Sequence, residues 1–582
     1  MSDQITNIRH TLAHLLAHAV QDNYASAKFA IGPTIDQGFY YDIEVDRPLK
    51  PEDLKMLEKR MKYLIKQRLS MVRIEPSSAG AVQYLARQPY KQEILADLKA
   101  KGEAATFYQI GSFIDLCRGG HVANTAEIDP NAFMLTHIAG AYWRGDSNRP
   151  MLQRIYGAAF ATPPELTAYQ AQQVEAAKRD HKKLGPELDL FTFSELVGSG
   201  LPLWTPRGTL VRNLLDGFVW ELRQAAGYER VEIPHITKAE LYERSGHWQK
   251  FHDELFKITT REGHTFAMKP MNCPHHTQIY ARRQHSYREL PQRFANTTMC
   301  YRDEQSGELS GISRIRSFTQ DDAHVFCRTS QAAAEIRKIW KIVNSFYRVF
   351  GFDLKVRLSL HDPAQPEKYL GDEAQWQVAE KALRAVVKSA KTKVNEVVGE
   401  AAFYGPKIDF MASDSMGREW QMATIQLDMN LPARFDLSCV NERGEHERIV
   451  MIHAAIMGSI ERFLSILIEH YAGAFPFWLS PVQIQIIPVA FKHNANGRKL
   501  LTIVSQAGLR ASLDTANETV GSKIRRAEKM KVPYMVVLGD QERTLKRLAV
   551  RTRGKSTVAA VSLATWIKKL SSLRDRRSAT LA

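Results

Sequence analysis

The sequence predicts a multidomain α+β protein, and three observations carry that expectation. A chain of 582 residues is too long for one hydrophobic core. Strand-like and helix-like segments alternate along it, and proline and glycine clusters divide it into segments. The composition, 44% hydrophobic and 24% charged, excludes a fibrous or wholly disordered chain. The longest apolar runs, 463–468 and 534–538, fall far short of the roughly 20 residues that a spanning helix requires. The first residues lack the basic and apolar regions of a secretory signal. A cytoplasmic protein with no membrane association is therefore expected. Five scattered cysteines fit no disulfide framework and are expected to be reduced.

Taken in order, residues 1–160 open with a helix-like run, 8–23, and continue through alternating strand-like pieces such as 38–43, which suggests an α+β domain. Residues 161–185 read as a polar helical linker. It starts at Thr162-Pro163-Pro164-Glu165 and stops at the Gly185-Pro186 signal. Residues 186–478 form the largest segment, bounded by Pro476 and Pro481. Residues 479–582 alternate strands (482–489, 534–538) with helices (497–507 and a final amphipathic one), the pattern of a small α/β domain. From Gln483 onward there are 20 Lys and Arg against 6 Asp and Glu, a balance of +14 out of the chain's +16. Such asymmetry fits a polyanion partner, although a solubilising surface would look the same.

Two side-chain constellations stand out. His10, His14 and His18 recur at i, i+4 and share a helix face. Asp115-Leu116-Cys117-Arg118-Gly119-Gly120-His121 sets a thiol and an imidazole four apart. His10, His14, Cys117 and His121 would satisfy a tetrahedral zinc site or position water in a metal-free hydrolytic pocket. The residues alone leave both open. In the largest segment, Cys273, His324 and His453 come from three separate elements and offer a ligand set for zinc with an open position. Between them lie Arg302, Glu304, Arg314 and Phe318, of which the arginines are suited to clamping phosphate and the phenylalanine ring to stacking on a purine. Gly458-Ser459-Ile460-Glu461-Arg462 begins an amphipathic helix from whose apolar stripe Arg462 escapes.

These words resemble the three signature motifs of class II aminoacyl-tRNA synthetases: 210–226 with Val231-Glu232-Ile233-Pro234, then 302–318, then 458–462. Met271-Asn272-Cys273-Pro274, Phe318-Thr319-Gln320-Asp321-Asp322-Ala323-His324 and Phe403-Tyr404-Gly405-Pro406-Lys407 resemble the bacterial threonyl branch of that family. Ile31-Gly32-Pro33, the run 141–147 and Cys117-x3-His121 are similar to its editing domain. The resemblance implies an editing domain over 1–160, a linker over 161–185, a catalytic domain built on an antiparallel sheet over 186–478, and an anticodon-binding domain over 479–582. It implies a homodimer that joins L-threonine to ATP as an adenylate, with Mg2+, and transfers threonine to tRNA(Thr).

Carried over residue by residue, the family pattern sets Arg302, Glu304, Arg314, Phe318, Gln421, Gln426 and Arg462 at ATP. It sets Gln320, Asp322, Tyr404 and Ser459 at threonine, with His247 and Lys407 beside them as catalytic residues. One zinc per subunit would sit on Cys273, His324 and His453. His10, His14, Lys91, Asp115, Cys117 and His121 would hydrolyse mischarged Ser-tRNA(Thr) without metal, and Asn517, Glu542 and Arg551 would read the anticodon. The departures are His275 where glycine is usual, Ala454 where arginine is usual, Gly120 where proline is usual, and a start only nine residues before His10, without the family's small first domain. The competing expectations are a tRNA-binding paralogue that no longer activates amino acid and an editing-only hydrolase.

Overall fold

The computed structural model describes residues 2–146, 148–390, 392–415, 417–555 and 557–581, with backbone only for Ser2; Ser147 of the 141–147 run lies outside them. It divides into two units, 1–175 and 176–582. In the first, the helix Ser2–Asn23 buries Leu12, Leu15, Leu16, Ala19 and Val20, an i, i+3, i+4 stripe that packs on an antiparallel sheet. That sheet runs in the order Lys28–Phe29, Gly38–Glu44, Met151–Ala159, Phe133–Tyr142, all antiparallel. A second sheet of Met71–Ile74, Phe107–Ile110 and Phe113–Leu116 ends at the Cys117 turn.

The second unit begins inside the segment expected to be one continuous helix. The helix Pro163–Arg179 breaks at Asp180, whose carboxylate accepts the Lys182 N–H at 2.8 Å and starts a new helix, His181–Glu187. The expected stop at Gly185-Pro186 is therefore corrected, since both lie within that helix. Gly185 is there for space, because a Cβ would stand 2.2 Å from the Phe191 ring.

Eight strands form the central sheet, in the order Glu229–Arg230, Gln292–Tyr301, Ser317–Cys327, Val450–Ser459, Glu419–Asp428, Lys407–Ser413, Leu354–Leu360, Val394–Val398. The six inner strands are antiparallel, as expected, and both edge pairs are parallel. At one edge the cause is the crossover helix Glu373–Ser389, which returns the chain in the same direction. The helices Thr329–Arg348 and Ile460–His470 lay their apolar stripes on the sheet and bury Ile336, Ile339, Val343, Phe346, Phe463 and Leu467. Residues 484–562 form a five-stranded sheet whose strands Ala511–Leu513, Ile484–Pro488 and Tyr534–Leu538 are parallel and whose last two are antiparallel. Among the described residues no helix is long and apolar enough to cross a membrane.

Candidate active sites

Strand register assembles the central site. His324 pairs with His453, His453 with Gln426, Gln426 with Lys407, and Gln320 with Ser459, so four adjacent strands contribute side chains to one surface. Cys273 joins them from the first turn of the helix Cys273–Ala281, where Pro274 favours helix initiation. One ligand atom each from Cys273, His324 and His453 lies within 4.8 Å of the others, and all three residues are buried. His324 Nε2 and His453 Nδ1 face each other at 3.1 Å. His453 Nε2–H donates to Asp428 Oδ2 at 2.8 Å, leaving the Nδ1 lone pair free for a metal, the usual carboxylate support of a ligating imidazole. His276 Nδ1 lies 2.8 Å from His324 Nδ1 and orients that ring in the same way. Burial pushes the Cys273 thiol well up and the His324 imidazole well down, so the site gathers a neutral thiol and a neutral His324 ring. One sulfur and two imidazole nitrogens with supported rings fit zinc with a position left for substrate.

His247 touches this group: its Nε2 is 3.5 Å from Cys273 Sγ and its Nδ1 2.8 Å from Ser245 Oγ. Burial first, then His453 and Arg302, brings its pKa down to about 3. Asp322 is raised to about 6, chiefly by burial. Tyr404 O–H donates to Gln426.

Arg302 lies between the rings of Phe251 and Phe318, 5.3 Å from each centroid, and its buried Nε has no partner in the protein. Gln320 Oε1 is likewise unpartnered. Buried polar atoms left unmatched in this way, a guanidinium N–H and an amide oxygen, are the condition of a polar site awaiting ligand. Arg314 pairs with Glu304, its Nε donating to Oε2 at 2.8 Å, and Arg462 stands over Trp420. Gln421 Nε2 donates to Asp409 at 2.9 Å, and Lys407 forms an ion pair with the same carboxylate at 3.3 Å. Ser459 Oγ caps the helix Ile460–His470 by accepting from Arg462 N and donates to Glu461.

Of the departures from the family pattern, His275 is buried with both ring nitrogens unpartnered, and it stands outside the cluster of metal-ligand atoms. Ala454 follows His453 on the same strand and so points to the opposite face, into the core. It lies away from the ligands.

In the first unit, Cys117 Sγ lies 3.1 Å from His121 Nε2, the His10 ring stacks on His121 with centroids 4.1 Å apart, and His14 stands edge-on to both. Asp115 is buried beneath them. Lys91 Nζ pairs with it at 2.6 Å, and the hydroxyls of Tyr41 and Tyr84 both donate to it. His10, His14, Lys91, Asp115 and Cys117 line a cavity of about 830 Å³. Burial, then the Asp115 charge, pushes the Cys117 thiol up to about 12, while burial, then His14 and His10, brings His121 down to about 2. Thiol and imidazole are both neutral near pH 7. One ligand atom each from His10, His14, Cys117 and His121 also lies within 4.8 Å of the others. His18 is set apart from this cluster and meets Ser112 Oγ at 2.9 Å.

Asn517 lies exposed after the strand Ala511–Leu513, and Glu542 Oε2 accepts from Gly539 N. Arg551 lies opposite Met535 and faces Glu528 at 3.5 Å. No hydrogen bond or ion pair joins these three among the described residues. The sequence reading missed Asp428, His276, Asp409, Tyr41 and Tyr84, which orient the residues it named; their signal is long-range pairing.

Residues 256–471 match the model of the tRNA synthetase class II core domain (G, H, P, S and T), residues 483–573 that of the anticodon binding domain, and residues 105–156 that of the threonyl and alanyl tRNA synthetase second additional domain. A threonine-tRNA ligase of Thermus thermophilus is 45% identical over 98% of this chain and 89% of its own length. That of Clostridium tetani is 45% identical over 98% and 88%, and that of Synechococcus elongatus 44% over 98% and 96%. Among solved structures, the "RNA binding domain of Threonyl-tRNA synthetase from Cryptosporidium parvum Iowa II" superimposes on 69% of this chain and 99% of its own, with 34% identity and a TM-score of 0.65. With this likeness running along almost its whole length, the chain belongs to the threonine-tRNA ligase family of class II aminoacyl-tRNA synthetases.

Proposed function

We propose that this chain activates L-threonine with ATP and Mg2+, transfers it to tRNA(Thr), and hydrolyses Ser-tRNA(Thr) at a second site. The observation that carries the reading is the register of the central sheet, which pairs His324 with His453 and Gln320 with Ser459, together with the closeness of Cys273 to the two histidines and the unmatched Arg302 and Gln320. Arg302 holds the α-phosphate and the amino-acid carboxylate while Phe318 stacks on adenine. Arg462 holds the γ-phosphate, and Glu304, Arg314, Gln421 and Gln426 complete the nucleotide site. Catalysis of phosphoryl chemistry rests on such positioning and charge stabilisation. Gln320, Asp322, Tyr404 and Ser459 face threonine, and His247 and Lys407 serve the reacting end. Zinc held by Cys273, His324 and His453, one per subunit, supplies a Lewis-acid position for the amino and hydroxyl groups of threonine.

A pocket lined with buried polar groups rejects valine, which leaves those groups unpaired. Serine differs from threonine by one methyl, roughly 1–3 kcal/mol, too little for fidelity. The cavity around His10, His14, Lys91, Asp115, Cys117 and His121 supplies the second sieve. Burial and the Asp115 charge keep the Cys117 thiol protonated, which suits it to hydrogen-bond substrate and water. Asn517, Glu542 and Arg551 contact anticodon bases, and the surrounding cations contact phosphates. The domain limits of 1–160, 161–185, 186–478 and 479–582, a homodimer formed through the helix Pro206–Ala225, and a cytoplasmic location belong to the same reading. The test is charging of tRNA(Thr) by the wild type and by the His10→Ala, Cys117→Ala double variant. Threonylation in both, with Ser-tRNA accumulating only in the variant, is expected; undiminished hydrolysis of Ser-tRNA by the variant would overturn the editing assignment.

A further inference from the structure

His181 belongs to none of the sites above, yet it is almost fully buried and both ring nitrogens are committed. Its Nδ1–H donates to Glu469 Oε1 at 2.6 Å, and its Nε2 accepts the backbone N–H of Ile312 at 3.2 Å. That pattern assigns one neutral tautomer and leaves no nitrogen for a metal, although Asp180, His181 and Glu469 lie close enough together to suggest one. Glu469 is itself gripped by Arg418 and accepts the His181 backbone N–H at 3.2 Å. Ile312 lies in the turn 310–314, closed by Ser310 N–H to Arg314 O and by Ser313 N–H to Ser310 O. The turn carries Arg314, which reaches Glu304. The neighbouring Gly311 has φ +51, and a Cβ there would lie 2.2 Å from His181 Nε2, so the loop is shaped around the imidazole.

We propose that His181 is a positioning residue for ATP, holding the loop 302–316 in its nucleotide-binding shape through the chain Arg418, Glu469, His181, Ile312 N–H. The proposal rests on the reading of Arg302, Glu304 and Arg314 as nucleotide contacts. A loop exposed over residues 305–308 must be ordered before it can clamp a triphosphate, and a buried main-chain hydrogen bond at its turn helps to meet that ordering cost in advance.

The test is threonine-dependent ATP-pyrophosphate exchange by the full chain. His181→Ala should raise the KM for ATP about 10-fold, the scale of one buried hydrogen bond, with the KM for threonine within about twofold of wild type. His181→Gln, whose amide can both donate and accept, should recover most of the loss. Gly311→Ala, which presses a methyl onto the ring, should reproduce the ATP defect, and it serves as the readout if His181→Ala does not fold. An unchanged ATP KM in these variants, equal rises in both KM values, or no recovery by glutamine would overturn the proposal. Absence of exchange by the wild type would instead overturn the nucleotide-site reading beneath it.

Discussion

Lys91→Met isolates the buried charge at the base of the amino-terminal cavity. Lys91 and Asp115 are 3% and 2% exposed, and the ammonium lies 2.6 Å from the carboxylate, so neither charge is solvated by water. Breaking a buried pair by removing one member costs about 3–5 kcal/mol, because the other charge is left uncompensated. Tyr41 and Tyr84 still donate to Asp115, which places the cost near the lower end, about 3 kcal/mol. For a unit of this size, 1 kcal/mol moves a transition by roughly 2–4 °C, so the calorimetric transition that includes residues 1–175 should fall by about 6–12 °C. Ser-tRNA hydrolysis should fall with it. Adding Asp115→Asn removes the stranded charge, and the double variant should regain most of the stability without regaining hydrolysis. Equal instability of single and double variants, or a single-variant shift below about 2 °C, would refute the claim that charge compensation is what Lys91 supplies.

Metal analysis of the purified chain should find about one zinc per subunit. Cys273→Ser should lose it, while the His10→Ala, Cys117→Ala variant keeps it; a second zinc lost in the latter variant would place metal in the amino-terminal cavity. Glu469 gives a pH signature. Burial opposes its ionisation, but hydrogen bonds from His181 and Arg418 prevail and hold its pKa down to about 2. A depressed carboxyl contributes stability above its unfolded pKa of about 4.3 that is lost as pH falls toward 2. Glu469→Gln should therefore lower stability at pH 7 and flatten the acid limb of a pH-stability profile between about pH 4.5 and 2; an unchanged acid limb would contradict the pairing.

Much of the molecule was legible in the sequence because its chemistry is carried by short words. The helix that begins after Ser459 and the strands near 484 and 534 are local signals and formed close to where they were expected, whereas the first helix, expected over 8–23, starts at Ser2. The juxtaposition of His324 and His453 was expected from their ligand chemistry and the family resemblance, whereas the strand pairing that creates it, between positions some 130 apart, carries no local signal. Asp428, His276 and Asp409 carry no motif and acquire meaning only through that pairing. The parallel sheet edges depend on crossover connections, and the linker break at Asp180 came from a side-chain cap that outweighed the Gly-Pro signal five residues later. Strand alternation turns Ala454, a departure from the family pattern, into the core. His275 keeps two unmatched ring nitrogens for which the structure offers no explanation.

The central claim is that the sheet surface built by Cys273, His324, His453, Arg302 and Gln320 forms an adenylate from threonine. The most direct measurement is ATP-pyrophosphate exchange by the purified, zinc-assayed protein with threonine, serine, valine or no amino acid. Exchange fastest with threonine, weaker with serine by roughly 10- to 200-fold in kcat/KM, and absent with valine is the predicted result. Folded, zinc-loaded protein that exchanges with none of them, or with valine as readily as with threonine, would contradict it.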